Sequence, residues 1–247
     1  MRPDHTTVSV VLVGAFQTSK FVLDELERGG VLSKTDIADS SYKGLLKDQY
    51  VELTIGSWGH LTVIPDNLTI EVSEAPYIRA VDMVLKCLRE IAPLSTVRAM
   101  GLNVKSSFSF VDHVERDNLG MRLSPPSGWG PWGQKVRESI DFPMTDARHG
   151  GLKSVVMRQP RPDGRESGYL DVRVDSASEA RGNSVVPGVQ IFVNDHHDMP
   201  PLAEGEEAPS AHVQTAKMLD VLEGAFDSSI ARSMEICDGI IQGSKQA

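Results

Sequence analysis

The stretch His60–Pro93, HLTVIPDNLTIEVSEAPYIRAVDMVLKCLREIAP, decides the fold class because it predicts two strands followed by an amphipathic helix. Pro65-Asp66-Asn67 between the strand segments is favourable for a tight turn. Pro76 lies near the expected start of the helix and Pro93 lies beyond its end. A helix with one apolar face must bury that face, and the neighbouring strands offer the surface. Apolar residues recur in this helix at spacings of three and four: Ile78, Val81, Val84, Leu85, Leu88 and Ile91.

The same order of elements is predicted twice, in residues 1–94 (the first half) and 95–247 (the second half). Each half reads as a strand, a short helix, three strands and a long helix. The stretch 124–133, SPPSGWGPWG, interrupts the second half and is predicted to be an irregular loop. The fold class that follows is α+β. We expect a curved antiparallel sheet packed on two long helices, with two pseudo-repeated β-α-β-β-β-α halves in one compact unit of helix-grip or saddle-like type.

The last helix is predicted from about Ala211 to about Ile241, with an apolar stripe along it. Within it, KMLDVLEGAFDSSIARSMEI resembles the end of a sporadically distributed family of uncharacterised bacterial proteins of similar length. Members of that family carry a Leu-x-x-Leu-x-x-x-Phe-x-x-x-Ile stripe, and Leu219, Leu222, Phe226 and Ile230 stand in that pattern. The resemblance implies no activity and no catalytic residues.

Composition narrows the classes of function. The 247 residues carry a formal net charge of −9, which argues against binding nucleic acid through phosphate contacts. Cys87 and Cys237 lie in apolar helical segments without CxxC spacing, so we expect two buried, reduced thiols in a cytoplasmic protein. No targeting or membrane-spanning segment is predicted. Nucleotide-cradling and nucleophile-elbow motifs are absent from the sequence, which predicts no cofactor and no catalytic residues.

The tetrad Asp195-His196-His197-Asp198 is the first candidate site. If the strand Val189–Asn194 runs into it, alternation places Asp195 and His197 on one face and His196 and Asp198 on the other. Too few ligands then converge for a closed zinc site. We expect an exposed, solvated strand end, in which any contact role would fall to Asp195 and His197, and little loss of stability when both histidines are replaced by Ala. A partner or ligand contact and a metal site completed by His212, Asp171 or His60 are the alternatives.

Trp129 and Trp132, in the loop 124–133, form the second candidate site. Gly and Pro beside them favour either of two arrangements. The aromatic rings lie on the surface and bind a partner, or they fold back and close the open end of the sheet.

A basic hairpin is the third candidate. Arg158, Arg161 and Arg165 are close in sequence and could contact an anion or nucleic acid, or simply be solvated.

Together these features predict a non-catalytic protein that recognises a protein partner or another copy of itself, or that acts as a subunit of a bacterial multi-protein system, without a membrane. Two alternatives remain from the sequence. One is a small-molecule-binding protein or metal-dependent enzyme with a pocket near His196 and His197. The other is a subunit of a ribonucleoprotein complex that uses the basic hairpin.

Overall fold

The computed structural model describes residues 1–45, 50–140, 151–160, 167–181, 184–199 and 210–243. The predicted α+β class is confirmed. A nine-stranded antiparallel sheet, open at both ends, packs against helices that include a long one near the C-terminus.

In its described residues, the first half contains five strands, one more than predicted. The additional strand, β2, is formed by the polar stretch that follows a short helix whose start is capped by Ser33 and Asp36 in a reciprocal capping box. A π-helical turn, Cys87–Ile91, prolongs the last helix. The elements are β1 (His5–Ala15), α1 (Leu23–Arg28), α2 (Lys34–Ala38), β2 (Ser40–Leu45), β3 (Tyr50–Ile55), β4 (Gly59–Ile64), β5 (Asn67–Val72) and α3 (Arg79–Lys86).

The described part of the second half contains four strands. Its elements are β6 (Thr96–Ser109), α4 (His113–Leu123), α5 (Gly130–Ile140), β7 (Ser154–Pro160), β8 (Gly168–Arg181), β9 (Ser184–Asp198) and α6 (Ala211–Gln242). The bounds of α6 agree with the prediction. The irregular loop predicted over 124–133 is wrong in part, because a 3₁₀ turn spans Pro126–Trp129 and α5 begins at Gly130.

The strand order is β2-β3-β4-β5-β1-β6-β9-β8-β7. β1 and β6 pair at the centre, with Val10 opposite Leu102, and each is flanked on its outer side by the last strand of its own half. In both halves, therefore, the last strand pairs with the first. The division of the chain after residue 94 stays a prediction.

The helices α3, α4 and α6 cover one face of the sheet, which we call the helix side. Side chains alternate along the strands, so that Val8, Val10 and Leu12 of β1 are buried on this side while the residues between them are partly exposed. Thr215 fixes the start of α6 against the start of β6: its hydroxyl accepts from the Val97 N–H at 3.1 Å and donates to the Ser95 carbonyl at 3.1 Å. The predicted stripe of α6 is buried: Leu219, Leu222, Phe226, Ile230, Cys237 and Ile241.

Candidate functional site

The tetrad lies inside the sheet, because β9 continues to Asp198 between β6 and β8. The predicted alternation is confirmed: Asp195 and His197 face the helix side, while His196 and Asp198 face the opposite, outer side. The predicted exposed strand end is wrong, since Asp195 and His197 are only 1% and 2% exposed. A flanking strand on each side supplies backbone partners for the whole segment and lets α6 cover it.

Asp195 joins β9 to α6 electrostatically. Its Oδ1 lies 3.8 Å from Nε2 of His197 and its Oδ2 lies 3.7 Å from a guanidinium nitrogen of Arg232 on α6. A buried carboxylate is tolerated when cations or donors compensate its charge. The cluster therefore holds α6 on the sheet, and neither Asp195 nor His197 is placed to touch a partner of the folded chain.

His196 belongs to a stack on the outer side of the sheet. Its ring lies 4.6 Å from that of Tyr169 at an interplanar angle of 19°, and its Nε2 is 3.0 Å from Oδ1 of Asp198. On the other side of Tyr169, the guanidinium of Arg158 lies 3.6 Å from the ring centroid. The guanidinium of Arg158, the phenol ring of Tyr169 and the imidazole of His196 thus form one stack across β7, β8 and β9.

Arg158 is the described member of the basic hairpin, and Arg161 and Arg165 lie outside the described residues. Arg158 donates two hydrogen bonds of 2.6 Å to the carboxylate of Asp171. These bonds lower the pKa of Asp171 below its ordinary value. The guanidinium is therefore already engaged, which weakens the case for an anion site; such a site on the hairpin stays a prediction.

Trp129 and Trp132 are 58% and 60% exposed, so the arrangement in which they fold back into the sheet is wrong. Their rings meet edge to face, 5.6 Å apart at 62°, and Nε1 of Trp129 donates to the Ser124 hydroxyl at 3.2 Å. Gly133 makes this geometry available. A Cβ there would lie 1.9 Å from the Pro126 carbonyl oxygen, so only glycine lets α5 turn so tightly against the 3₁₀ segment.

A cavity of about 240 Å³ opens beside the two tryptophans, between α4, α5 and the residues that lead into β7. Its floor includes Asp117, which is 5% exposed and accepts two hydrogen bonds of 3.2 Å from the buried guanidinium of Arg116. The lining is mostly apolar and includes Met121, Trp129, Trp132, Val136, Ile140 and Leu152. Such a cavity accepts an apolar side chain or a small apolar ligand.

Both cysteines are free and buried, as predicted. Burial raises the pKa of Cys87 to about 12 and that of Cys237 to about 11. The thiols therefore remain protonated near neutral pH and are poor nucleophiles.

In the described part of the chain, no three His, Cys, Asp or Glu side chains converge on a point that would hold a metal ion. Among the same residues, no helix combines the length and the apolar character needed to cross a bilayer.

No protein-family model matches the chain, and no curated protein is similar to it in sequence.

Sequence reasoning missed Asp117 and Arg232, and it missed the exposed apolar residues of β7. Asp117 and Arg232 stand in helical segments that look like ordinary solvated helix faces. The segment GLKSVVMRQ is predicted from sequence to be a strand, but it carries no signal that this strand lies at the edge of the sheet.

Proposed function

We propose that the protein is a non-catalytic binding protein that recognises a protein partner through the Trp–β7 surface, defined as Trp129, Trp132, the adjoining cavity and strand β7. The observation that carries the proposal is the exposure of two large aromatic side chains held in fixed positions at the rim of a cavity. Tryptophan is enriched among the residues that dominate binding energy at interfaces, and such anchors pair with pockets.

β7 extends this surface with apolar side chains. Val156 is 57% exposed and Met157 is 71% exposed, on opposite faces of the same strand. Large apolar side chains clustered at one place on a surface mark interaction sites more often than isolated ones do. The protonated thiols, the ion-paired Arg158 and the net charge of −9 support binding of a protein over thiol chemistry or binding of nucleic acid.

The test is a binding measurement with matched variants. Full-length protein is used as bait, the captured protein is purified, and its affinity is measured by calorimetry for wild type, Trp129→Ala/Trp132→Ala and Val111→Ala/Val114→Ala. The control pair is also exposed and apolar but lies before and within the first turn of α4, outside the surface. We expect the tryptophan variant to bind about 30-fold more weakly or worse, and the control to bind like wild type. Equal affinity for all three proteins would refute the proposal.

A further inference from the structure

Among the residues that the structure describes, β7 leaves one side of its backbone without a strand partner, because it is the last strand of the sheet and pairs with β8 alone. The Lys153 carbonyl accepts from the Ser176 N–H at 2.9 Å, which fixes the direction of the backbone groups. Because successive residues point alternately to the two sides of a strand, those of Val155, Met157 and Gln159 point to β8, and those of Ser154, Val156 and Arg158 point away from it. The edge is therefore a row of backbone donors and acceptors along a strand with exposed side chains.

The cavity beside the tryptophans adjoins the start of this edge. Leu152, Lys153 and Ser154, which lead into β7, line the cavity together with Trp129 and Trp132. A segment paired with β7 would lie about 4.8 Å from it, with alternate side chains on the helix side of the sheet, the side on which α4, one wall of the cavity, packs. One geometry thus offers main-chain pairing and a pocket for a side chain, the two parts of recognition by strand addition.

The charges around this edge favour an acidic occupant. In the described residues, the carboxylates that line the cavity or lie opposite β7, namely Asp117, Asp171 and Asp175, are each paired with an arginine. The exposed charged side chains of α5 and of the approach to β7 are three cations, Lys135, Arg137 and Lys153, and one anion, Glu138. The chain as a whole is acidic, with a net charge of −9. Because a second copy would bring the same cations against each other and add the repulsion of two acidic chains, charge complementarity favours a different protein.

We infer that the partner supplies an extended acidic segment that adds to β7 as a further strand and places an apolar side chain in the cavity beside Trp129 and Trp132. This inference rests on the proposed function and specifies its mode. Backbone pairing with Ser154, Val156 and Arg158 supplies affinity, the cavity selects the apolar side chain, and Lys135, Arg137 and Lys153 select carboxylates.

The first experiment selects peptides from a phage-displayed random library, long enough to span β7, against the full-length protein. We expect selected peptides with alternating apolar residues and an excess of Asp and Glu. The tightest one is synthesised and N-methylated at one position at a time. Loss of affinity at every second position is the signature of strand addition, since only alternate N–H groups face β7. A selected peptide with no such periodicity would overturn the inference, and so would a failure to select any peptide.

A matched pair of proline variants tests the edge from the side of the protein. Val156→Pro removes a donor that points away from β8, whereas Met157→Pro removes a donor of the β7–β8 ladder. We expect Val156→Pro to keep the melting temperature near that of wild type and to bind the synthetic peptide about tenfold more weakly or worse. Met157→Pro should lower the melting temperature. If Val156→Pro folds and binds the peptide like wild type, strand addition at β7 is wrong.

Two outcomes separate this inference from the proposed function. If Trp129→Ala/Trp132→Ala abolishes binding of the purified partner while Val156→Pro leaves it unchanged, the Trp–β7 surface binds the partner without strand addition. If sedimentation of the wild type shows a dimer that Val156→Pro dissociates, the occupant of the edge is a second copy, and the acidic partner segment is refuted.

Discussion

In both halves of the molecule the last strand pairs with the first, but the two halves differ in their buried polar side chains and in the strands at the edges of the sheet. The helix side of the first half is made of apolar residues such as Leu53, Leu61 and Ile70. In the described residues, all four buried Arg, Asp and His side chains belong to the second half: Arg116, Asp117, Asp195 and His197.

The two edge strands of the sheet, β2 and β7, also differ in their exposed side chains. β2, at the end formed by the first half, carries exposed Ser41 and Lys43 and no large exposed apolar side chain among its described ones. β7, at the other end, exposes Val156 and Met157. Edge strands are commonly protected by charges, and β2 has Lys43 for this role. β7 has Arg158, but it differs from β2 because two large apolar side chains are exposed beside that charge. Departures from the rules of stable packing concentrate where a protein functions, which directs attention to the second half.

The largest expected effect is a difference in the free energy of unfolding between truncation of a buried side chain in β3 and truncation of an exposed side chain in β7. Leu53→Ala removes a fully buried side chain of β3 and should lower the free energy of unfolding by about 2–5 kcal/mol. Met157→Ala truncates an exposed side chain of β7 and should change it by about 0.5 kcal/mol or less. Urea denaturation of both variants measures the difference. Equal losses would mean that β7 is as well packed as β3 and would remove the contrast between the two ends.

His197 and His196 sharpen the contrast within the second half. His197→Ala should lower the free energy of unfolding by about 1–3 kcal/mol, because it removes a buried partner of Asp195. His196→Ala should cost about 1 kcal/mol, because it removes only stacking on Tyr169 and a contact with the exposed Asp198. This replaces the expectation from sequence that both changes are nearly neutral. Equal melting temperatures of the two variants would argue that the Asp195 cluster does not contribute to stability.

A smaller difference is expected between the coupling energies of two ion pairs, one near each edge of the sheet. A double-mutant cycle on Arg158 and Asp171 should give a larger coupling energy than a cycle on Lys43 and Glu52, because the contact of Arg158 with Asp171 is bidentate. The cycle on Lys43 and Glu52, whose charged atoms are 3.8 Å apart and largely solvated, should give less than about 0.5 kcal/mol.

The coupling of Arg158 with Asp171 should depend on pH with a defined sign. Hydrogen bonding to Arg158 lowers the pKa of Asp171 in the folded protein, so the unfolded chain takes up the proton first as the pH falls. The stabilisation by this ion pair should be complete above about pH 5. It should decline below about pH 4, as the pH falls toward the pKa of Asp171 in the folded protein. Denaturation measured across that range tests it, and a coupling energy unchanged at pH 2–3 would contradict this origin of the stability.

The smallest expected effect concerns nucleic acid. Retention of a single-stranded oligonucleotide should be weak at low salt and lost at physiological salt, because the chain carries a net charge of −9 and Arg158 is already paired. Replacing Arg158, Arg161 and Arg165 together by Ala should remove whatever binding exists. Tight binding that survives physiological salt would place a nucleic-acid surface in the second half and weaken the proposal of a protein partner.

Local patterns predicted much of this protein. The period of the apolar residues indicated most of the strands, the bounds of α6 and the burial of both cysteines, because each depends on the spacing of side chains along one segment. The alternation of Asp195 and His197 with their neighbours was also readable, since it follows from the geometry of any extended strand. The sequence 124–133 misled because Gly and Pro usually interrupt helices, whereas Gly133 here permits the close contact with Pro126 that starts α5.

The sequence by itself thus determined which segments become strands and helices, and which side chains share a face. Only the tertiary structure decided which face is covered and which strand lies at an edge. Asp195 and His197 are buried because β6, β8 and α6 surround them, and Val156 is exposed because no described strand follows β7 in the sheet. Burial depends on neighbours that are distant in sequence, and the spacing of residues within one segment carries no information about them.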